Sequence, residues 1–253
     1  MYPEERQRWL LEVARQEGRV SVAQAVAEFS VASETIRRDL EALSGRGLVR
    51  RVHGGAIPSD FDQLGDAPLD ARDTTAVEQK EAIAAAALNW LPAPGSALIL
   101  DAGSTTYRLA AKLPPEAHFT IFTDSAPIAA LAAARTACDV RLVGGRVRGT
   151  TQATVGNVSE FARLRVETAF MGTNGISATH GLSTPDVDEA ATKAAMIAAA
   201  RNVIVLADSR KIGAETTCRF AELNEIDTLV TDSGITQRQQ ELLQGQGVEV
   251  IRA

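Results

Sequence analysis

The sequence predicts an α/β protein in two parts, an N-terminal winged helix-turn-helix and a larger C-terminal domain on a largely parallel sheet. Three observations predict it. Three short helical patterns and a basic, glycine-tipped strand pair fill residues 4–55. From residue 97 onward, short apolar runs, several of them Val/Ile-rich, alternate with helical segments, as in a sheet buried on both faces. Charge, finally, is divided unevenly along the chain.

The 253 residues carry 26 Lys+Arg against 32 Asp+Glu, a net charge of −6. Residues 1–57 hold nine Arg, no Lys and eight acids, net +1, so the remainder carries −7. Five of those arginines fall between Arg37 and Arg51, against two acids. A local basic stripe on an acidic protein points to a small DNA-reading module carried by a larger domain with another task. The composition, 45% hydrophobic and 23% charged, excludes disordered and collagen-like chains. No apolar run reaches the ~18–20 residues of a membrane span. The first residues are charged, without a signal-peptide pattern, so the chain is expected to be cytoplasmic. Cys138 and Cys218 stand in no metal or redox spacing and are expected to be reduced. No cofactor and no metal are expected.

Residues 4–16 place Trp9, Leu10, Val13 and Ala14 on one helix face, and Gly18 is expected to stop that helix. Residues 22–29 form a second helix. After a break at 30–32 a third runs from about 33 to 44, ended by Gly45 and Gly47. Residues 48–55 read as a short strand pair with a basic turn. Residues 58–73 are rich in Asp, Pro and Gly and read as a linker. Thr75-x-x-Glu78 reads as a capping box opening a helix to about Leu91. Strands are expected at 97–101, 119–123, 140–143, 168–171, 203–207, 228–231 and 248–251. The expected units are a DNA-binding domain (1–57), a linker (58–74) and an effector-binding and oligomerisation domain (75–253).

On the third helix, at about 100° per residue, Ile36, Leu40 and Leu43 share a stripe. Arg38 falls opposite them, between Arg37 on one flank and Thr35 on the other. Arg38 could be paired within a solvated face by Glu34 or Glu41. The basic run Arg50-Arg51-x-His53 directly after the helix favours a DNA-reading face instead, because arginine bonds guanine in a fork or clamps phosphate.

The stretches Gly18-Arg-Val-Ser-Val22, Phe29-Ser-Val-Ala-Ser-Glu-Thr-Ile-Arg-Arg-Asp-Leu40 and Gly47-Leu-Val-Arg-Arg-Val-His-Gly-Gly-Ala56 resemble the DeoR family of bacterial transcriptional repressors. The resemblance implies double-stranded operator DNA as partner and Ser33, Thr35, Arg37, Arg38, Arg50, Arg51 and His53 as the contacting residues. One departure shows. The family usually caps the recognition helix with Ser or Thr, where this chain has Ala32, and Ser33 could take over one residue later.

Asp101-Ala-Gly-Ser-Thr-Thr106 follows a strand and opens a helix. Gly103 permits a tight turn, and Ser104, Thr105 and Thr106 offer hydroxyls beside free helix amides, a ready phosphate site. A plain strand-to-helix turn with hydroxyl capping would carry the same residues. Other strand ends add Thr123, Ser125, Gly145, Arg146, Thr173, Asn174, Gly175 and Lys211, and ligands of open α/β sheets sit beyond such ends. These segments resemble, in order, the family's C-terminal domain. That resemblance implies a fold related to sugar-phosphate isomerases and a phosphorylated sugar as inducer. It also implies that residues 103–106 hold the phosphate, with Lys211 and the loop after Gly172 on the sugar; Lys80 matches a family lysine in shifted form. Gly-Thr-Asn-Gly-Ile-Ser (172–177), Gly-Leu-Ser-Thr-Pro-Asp (181–186) and Asp-Ser-Arg-Lys-Ile-Gly (208–213) look most like actinobacterial fructose-operon repressors, which implies a fructose phosphate. A homodimer or homotetramer is expected on a repeated operator. The competing reading is a sugar-phosphate isomerase with an appended helical domain, which would need a carboxylate base where the loop after Met171 offers Thr173 and Asn174.

Overall fold

The computed structural model describes residues 2–17, 19–52, 54–58 and 68–253. The first unit comprises α1 (Pro3–Glu17), β1 (Val20–Ser21), α2 (Val22–Phe29), α3 (Ser33–Gly45), β2 (Val49–Val52) and β3 (Gly55–Pro58). Leu10, Val13 and Ala14 of α1 and Ile36, Leu40 and Leu43 of α3 are buried together with Ala25, Val49 and Ala56. Trp9 meets Phe29 edge-on with ring centroids 4.8 Å apart. The wing has a third strand that the sequence does not announce: β1 pairs with β3, giving the order β1-β3-β2. Gly55 makes this possible, because a Cβ there would lie 2.0 Å from the Val20 carbonyl oxygen. The expected helix stop at Gly18 lies outside the described residues.

A short helix α4 (Leu69–Asp73) precedes α5 (Val77–Ala87). The expected capping box is not formed. Ala76, in a left-handed conformation (φ 50°), stands at the N-cap of α5 with no side-chain bond, and Thr75 donates its hydroxyl back to the Ala71 carbonyl at 2.8 Å. The preceding helix has captured the threonine.

The second unit continues with β4 (Ala97–Leu100), α6 (Ser104–Ala111), β5 (Thr120–Thr123), α7 (Ala126–Arg135), β6 (Asp139–Leu142), β7 (Arg146–Val147), β8 (Thr154–Val155) and α8 (Val158–Phe161). It then runs through β9 (Val166–Met171), β10 (Gly175–Ser177), β11 (Gly181–Thr184), α9 (Val187–Ala199), β12 (Ala200–Leu206), β13 (Cys218–Ala221), β14 (Thr228–Thr231), α10 (Gln237–Gln244) and β15 (Glu249–Arg252). The seven strands expected from apolar runs form one sheet, β15-β14-β12-β9-β4-β5-β6, and its pairings are parallel. Leu98 and Leu100 of β4 face one core with Ile83 and Leu109, while Ile99 faces the other with Met196 and Val205. Burial on both faces is why these strands read as continuous apolar runs. β10, β11 and β13 add a small antiparallel sheet, and β7 pairs with β8.

The strand order reverses between β4 and β9: the chain leaves β4 toward β5 and leaves β9 toward β12. A crevice opens at the carboxyl ends of two strands whose connections diverge. The turn at Gly103 and the loop at Gly172 meet there.

Candidate functional site

The outward face of α3 is basic because its acids are occupied. Asp39, one of the two acids counted in the basic stripe, turns inward and pairs with Arg6 Nε at 2.8 Å, both residues being buried. Glu34 pairs with Arg37 at 3.6 Å and Glu41 with Arg51 at 3.8 Å. Arg38 is exposed and makes no ion pair with any described residue. Arg50 and Arg51 are exposed on β2 beside it, and Thr35 is half-buried. The helix starts at Ser33 with Ala32 at the N-cap, and no side chain caps it, so Ser33 does not replace the missing cap. His53 lies outside the described residues.

In the sensor crevice, the first-turn amides of α6 have no carbonyl of their own helix to bond. Gly103 precedes them in extended backbone (φ 167°). Ser104 and Thr105 are nearly buried, and their hydroxyls carry no hydrogen bond among the described residues. The Thr106 hydroxyl is already spent on the Gly103 carbonyl at 3.0 Å.

Beside this turn lies a cluster of cations. Lys80 of α5, 3% exposed, donates to the Arg72 carbonyl of α4. Lys211, in the 3-10 turn Ser209–Lys211 after β12, donates to the Thr173 carbonyl at 2.6 Å. Among the described residues, neither ammonium has a carboxylate within ion-pair distance, and neither does Arg72. Burial, with Arg108, Arg210 and Arg72 nearby, lowers Lys80 to about 8 despite Asp208. Burial, with Arg72, Lys80 and Lys193 nearby, lowers Lys211 to about 7, again against Asp208. Asp208 is the carboxylate that serves this cluster. Burial pushes it up, but Lys211, the Arg210 hydrogen bond and Lys80 outweigh that and hold it below the usual range. Its Oδ2 is buried without a hydrogen-bond partner. Such a cluster favours an anionic ligand.

A second charged group, unmarked by any motif, underlies the crevice. Lys193, projecting from the alanine-rich α9, donates to Asp101 Oδ2 and to the Gly172 carbonyl at 3.2 Å. Gly172 N donates to the same Asp101 oxygen at 2.7 Å. Asp124 accepts from Ala102 N at 2.9 Å. Burial, reinforced by Asp101, raises its pKa well above the usual carboxylate value. Burial lowers Lys193, but Asp101, Glu189 and Asp124 more than restore it, so it stays charged. Glu189 pairs with Arg148, which also reaches Asp186 at 3.3 Å. This network pins the ends of β4, β5 and β9 together.

Several expected ligand residues therefore have other work. Asp101 is 0% exposed and bound through Oδ2 to Lys193 and Gly172, which places it in the crevice floor. Thr123 accepts from Ser125 N at 3.0 Å, and Ser125 caps α7 by accepting from Ile128 N at 3.3 Å. The Thr173 hydroxyl donates to the Gly175 and Ser183 carbonyls. Gly145 allows β7 to approach β8, since a Cβ would lie 2.4 Å from the Val155 oxygen. Arg146 forms an exposed pair with Asp188 at 2.6 Å. Gly175 lets the Lys211 loop close, a Cβ there lying 2.4 Å from the Ala214 oxygen. Asn174 is buried and accepts from Thr184 at 3.4 Å. The expected residues left facing the crevice are Gly103, Ser104, Thr105 and Lys211, joined by Lys80 and by Arg72, which no sequence signal had marked.

A DNA-reading winged helix joined to an α/β domain with a cationic crevice is the build of a ligand-responsive DNA-binding regulator. The DeoR-like helix-turn-helix domain matches residues 6–60 and the DeoR C terminal sensor domain matches residues 75–233. The chain belongs to the DeoR family of transcriptional regulators. It is 35% identical to the HTH-type transcriptional regulator GlpR of Haloferax volcanii, over 99% of this chain and 98% of that one. It is 32% identical to the HTH-type transcriptional repressor GlcR of Bacillus subtilis, over 99% of this chain and 96% of that one. Among solved structures it is similar to ribose 5-phosphate isomerase A of Methanocaldococcus jannaschii, with 18% identity, 55% of each chain covered and a TM-score of 0.41. No described helix is long and apolar enough to cross a membrane.

Proposed function

We propose that this chain is the repressor of a sugar-utilisation operon, released from its operator by a phosphorylated sugar. Residues 1–57 hold DNA, with Arg38 at the base edges and Arg37, Arg50, Arg51, Ser33, Thr35 and His53 around it. Residues 58–74 link it to residues 75–253, which bind the effector and join the chain into a homodimer or homotetramer acting in the cytoplasm. The carrying observation is the cation cluster of Lys80, Arg72 and Lys211 beside the α6 turn, in a domain of otherwise acidic balance. The phosphate would sit on the first-turn amides with the Ser104 and Thr105 hydroxyls, facing these cations. A tenfold loss of operator affinity needs only ~1.4 kcal/mol of coupling.

A fructose phosphate, fructose 1-phosphate first, is the effector favoured by the sequence resemblance at 172–177, 181–186 and 208–213. Calorimetry with fructose, fructose 1-phosphate, fructose 6-phosphate and glycerol 3-phosphate tests both parts. Unphosphorylated fructose is expected to bind at least about a hundredfold more weakly than its phosphate. Equal binding removes the phosphate reading, and tighter binding of glycerol 3-phosphate removes the fructose reading alone.

A further inference from the structure

Helix α4 lies between the two family matches and belongs to neither. In the chain it is the last element before the sensor domain proper, and it is fastened to that domain at both ends. At its start, Leu69 N donates to the Thr150 carbonyl at 2.8 Å. At its end, two cations take its last two carbonyls, a common way to finish a helix. Lys80 takes the carbonyl of Arg72, and Arg108 Nη2 takes that of Asp73 at 2.9 Å. Arg108 also grips the Asp73 carboxylate through Nη1.

Both cations border the crevice. Lys80 belongs to the cation cluster beside the α6 turn. Arg108 stands one turn along α6 from Ser104 and bonds the Ser104 carbonyl at 3.1 Å. One guanidinium thus holds the first turn of α6 and the end of α4. Glu81 anchors that guanidinium from α5, with Nε–Oε1 at 3.1 Å. An anion entering the crevice competes with the Arg72 carbonyl for Lys80. Any shift of the α6 turn toward a bound anion would reach Asp73 through Arg108.

We propose that the Asp73–Arg108 pair is the joint through which effector occupancy reaches the DNA-binding domain, with Asp73 a positioning residue that touches neither DNA nor effector. The inference rests on the reading of the crevice as the effector site. Asp73 is about half exposed and Arg108 keeps Glu81 without it, so Asp73 can be removed without stranding a buried charge.

The test uses the full chain, a DNA duplex selected by this protein from a random library, and whichever of fructose 1-phosphate, fructose 6-phosphate and glycerol 3-phosphate binds tightest. For Asp73→Ala, DNA affinity without the sugar phosphate and sugar-phosphate affinity by calorimetry should each stay within about threefold of the unmodified chain. The sugar-phosphate-induced loss of DNA affinity should fall from about tenfold or more to under about twofold. Asp73→Asn, which still accepts from Arg108, should restore most of the response. A response in Asp73→Ala equal to that of the unmodified chain overturns the joint. So does a greater than about tenfold loss of sugar-phosphate binding, which would put Asp73 in the ligand site. If none of the three compounds binds the unmodified chain, the effector reading itself falls and takes the joint with it; that outcome is visible before any variant is made.

Discussion

Lys211 Nζ lies 2.6 Å from the Thr173 carbonyl, so a half-buried ammonium is held at the crevice by a neutral acceptor and, among the described residues, by no ion pair. A charge kept this way costs stability unless a ligand neutralises it. Lys211→Met should leave unliganded stability within about 1 kcal/mol, the relieved desolvation of the lysine offsetting the counter-charge that Asp208 loses, while sugar-phosphate affinity falls by about tenfold or more. Thermal unfolding with and without fructose 1-phosphate reads both effects. A large loss of stability would make the lysine structural.

The same groups set a pH dependence. Lys211 at about 7 and Lys80 at about 8 both lie below their free-chain value of 10.5. Between about 7 and 10.5 the unfolded chain then binds more protons than the native one, so these two groups make unliganded stability rise with pH across that window. Effector affinity runs the other way. It should fall from pH 7 to pH 9 as the ammoniums are lost, and also below pH ~6, where a phosphate monoester takes up its second proton. Binding at pH 8 should take up protons, seen as a heat that varies with the ionisation enthalpy of the buffer. A buffer-independent heat at pH 8 would contradict the assignment.

At the phosphate turn, Gly103→Val places branched carbons where even a Cβ would lie 3.1 Å from the Thr106 hydroxyl oxygen and blocks the approach of an anion. Thr105→Ala removes one free hydroxyl. Both variants should hold DNA and ignore the effector, with the glycine variant the more severe. Normal release in both would count against the turn.

On the DNA side, Arg38→Ala should cost about 1–3 kcal/mol of specific binding with no loss of fold, since Arg38 is exposed and forms no ion pair with any described residue. Arg51→Ala should weaken all DNA sequences alike and reduce the salt slope by about one. Binding curves on specific and scrambled duplexes at several salt concentrations separate the two. Equal loss on both duplexes for Arg38→Ala would make it a phosphate contact.

The buried pair Lys193–Asp101 predicts a structural phenotype. Lys193→Met strands Asp101 at 0% exposure and should destabilise the sensor domain by about 3–5 kcal/mol. Denaturant unfolding checks it, and a loss under about 1 kcal/mol would show that Asp101 takes a proton at little cost.

The seven parallel strands and the three DNA-domain helices were legible because each is a local pattern: a Val/Ile-rich run such as 203–206, or the Ile36/Leu40/Leu43 stripe. The short strands β1, β10, β11 and β13 were not. They have two to four residues each, and pairing across the fold, not a run of their own, makes them strands. Thr75 and Glu78 matched a capping box by spacing, yet α4 ends close enough to capture the threonine.

The sequence by itself determined the order and type of the main elements, the outward side of Arg38 and the place of the Gly103 turn. These follow from helix and strand periods and from backbone freedom within a few residues. Tertiary structure decided which hydroxyls remain free and which charges share a pocket. Thr106, Thr123, Ser125 and Thr173 look no different in sequence from Ser104 and Thr105, but their oxygens are spent within the fold. Arg72, Lys80 and Lys211 are separate solvated cations on paper. They come together because β4 and β9 pair at the centre of the sheet and bring distant loops to one edge, where burial lowers both lysines and favours an anion beside them.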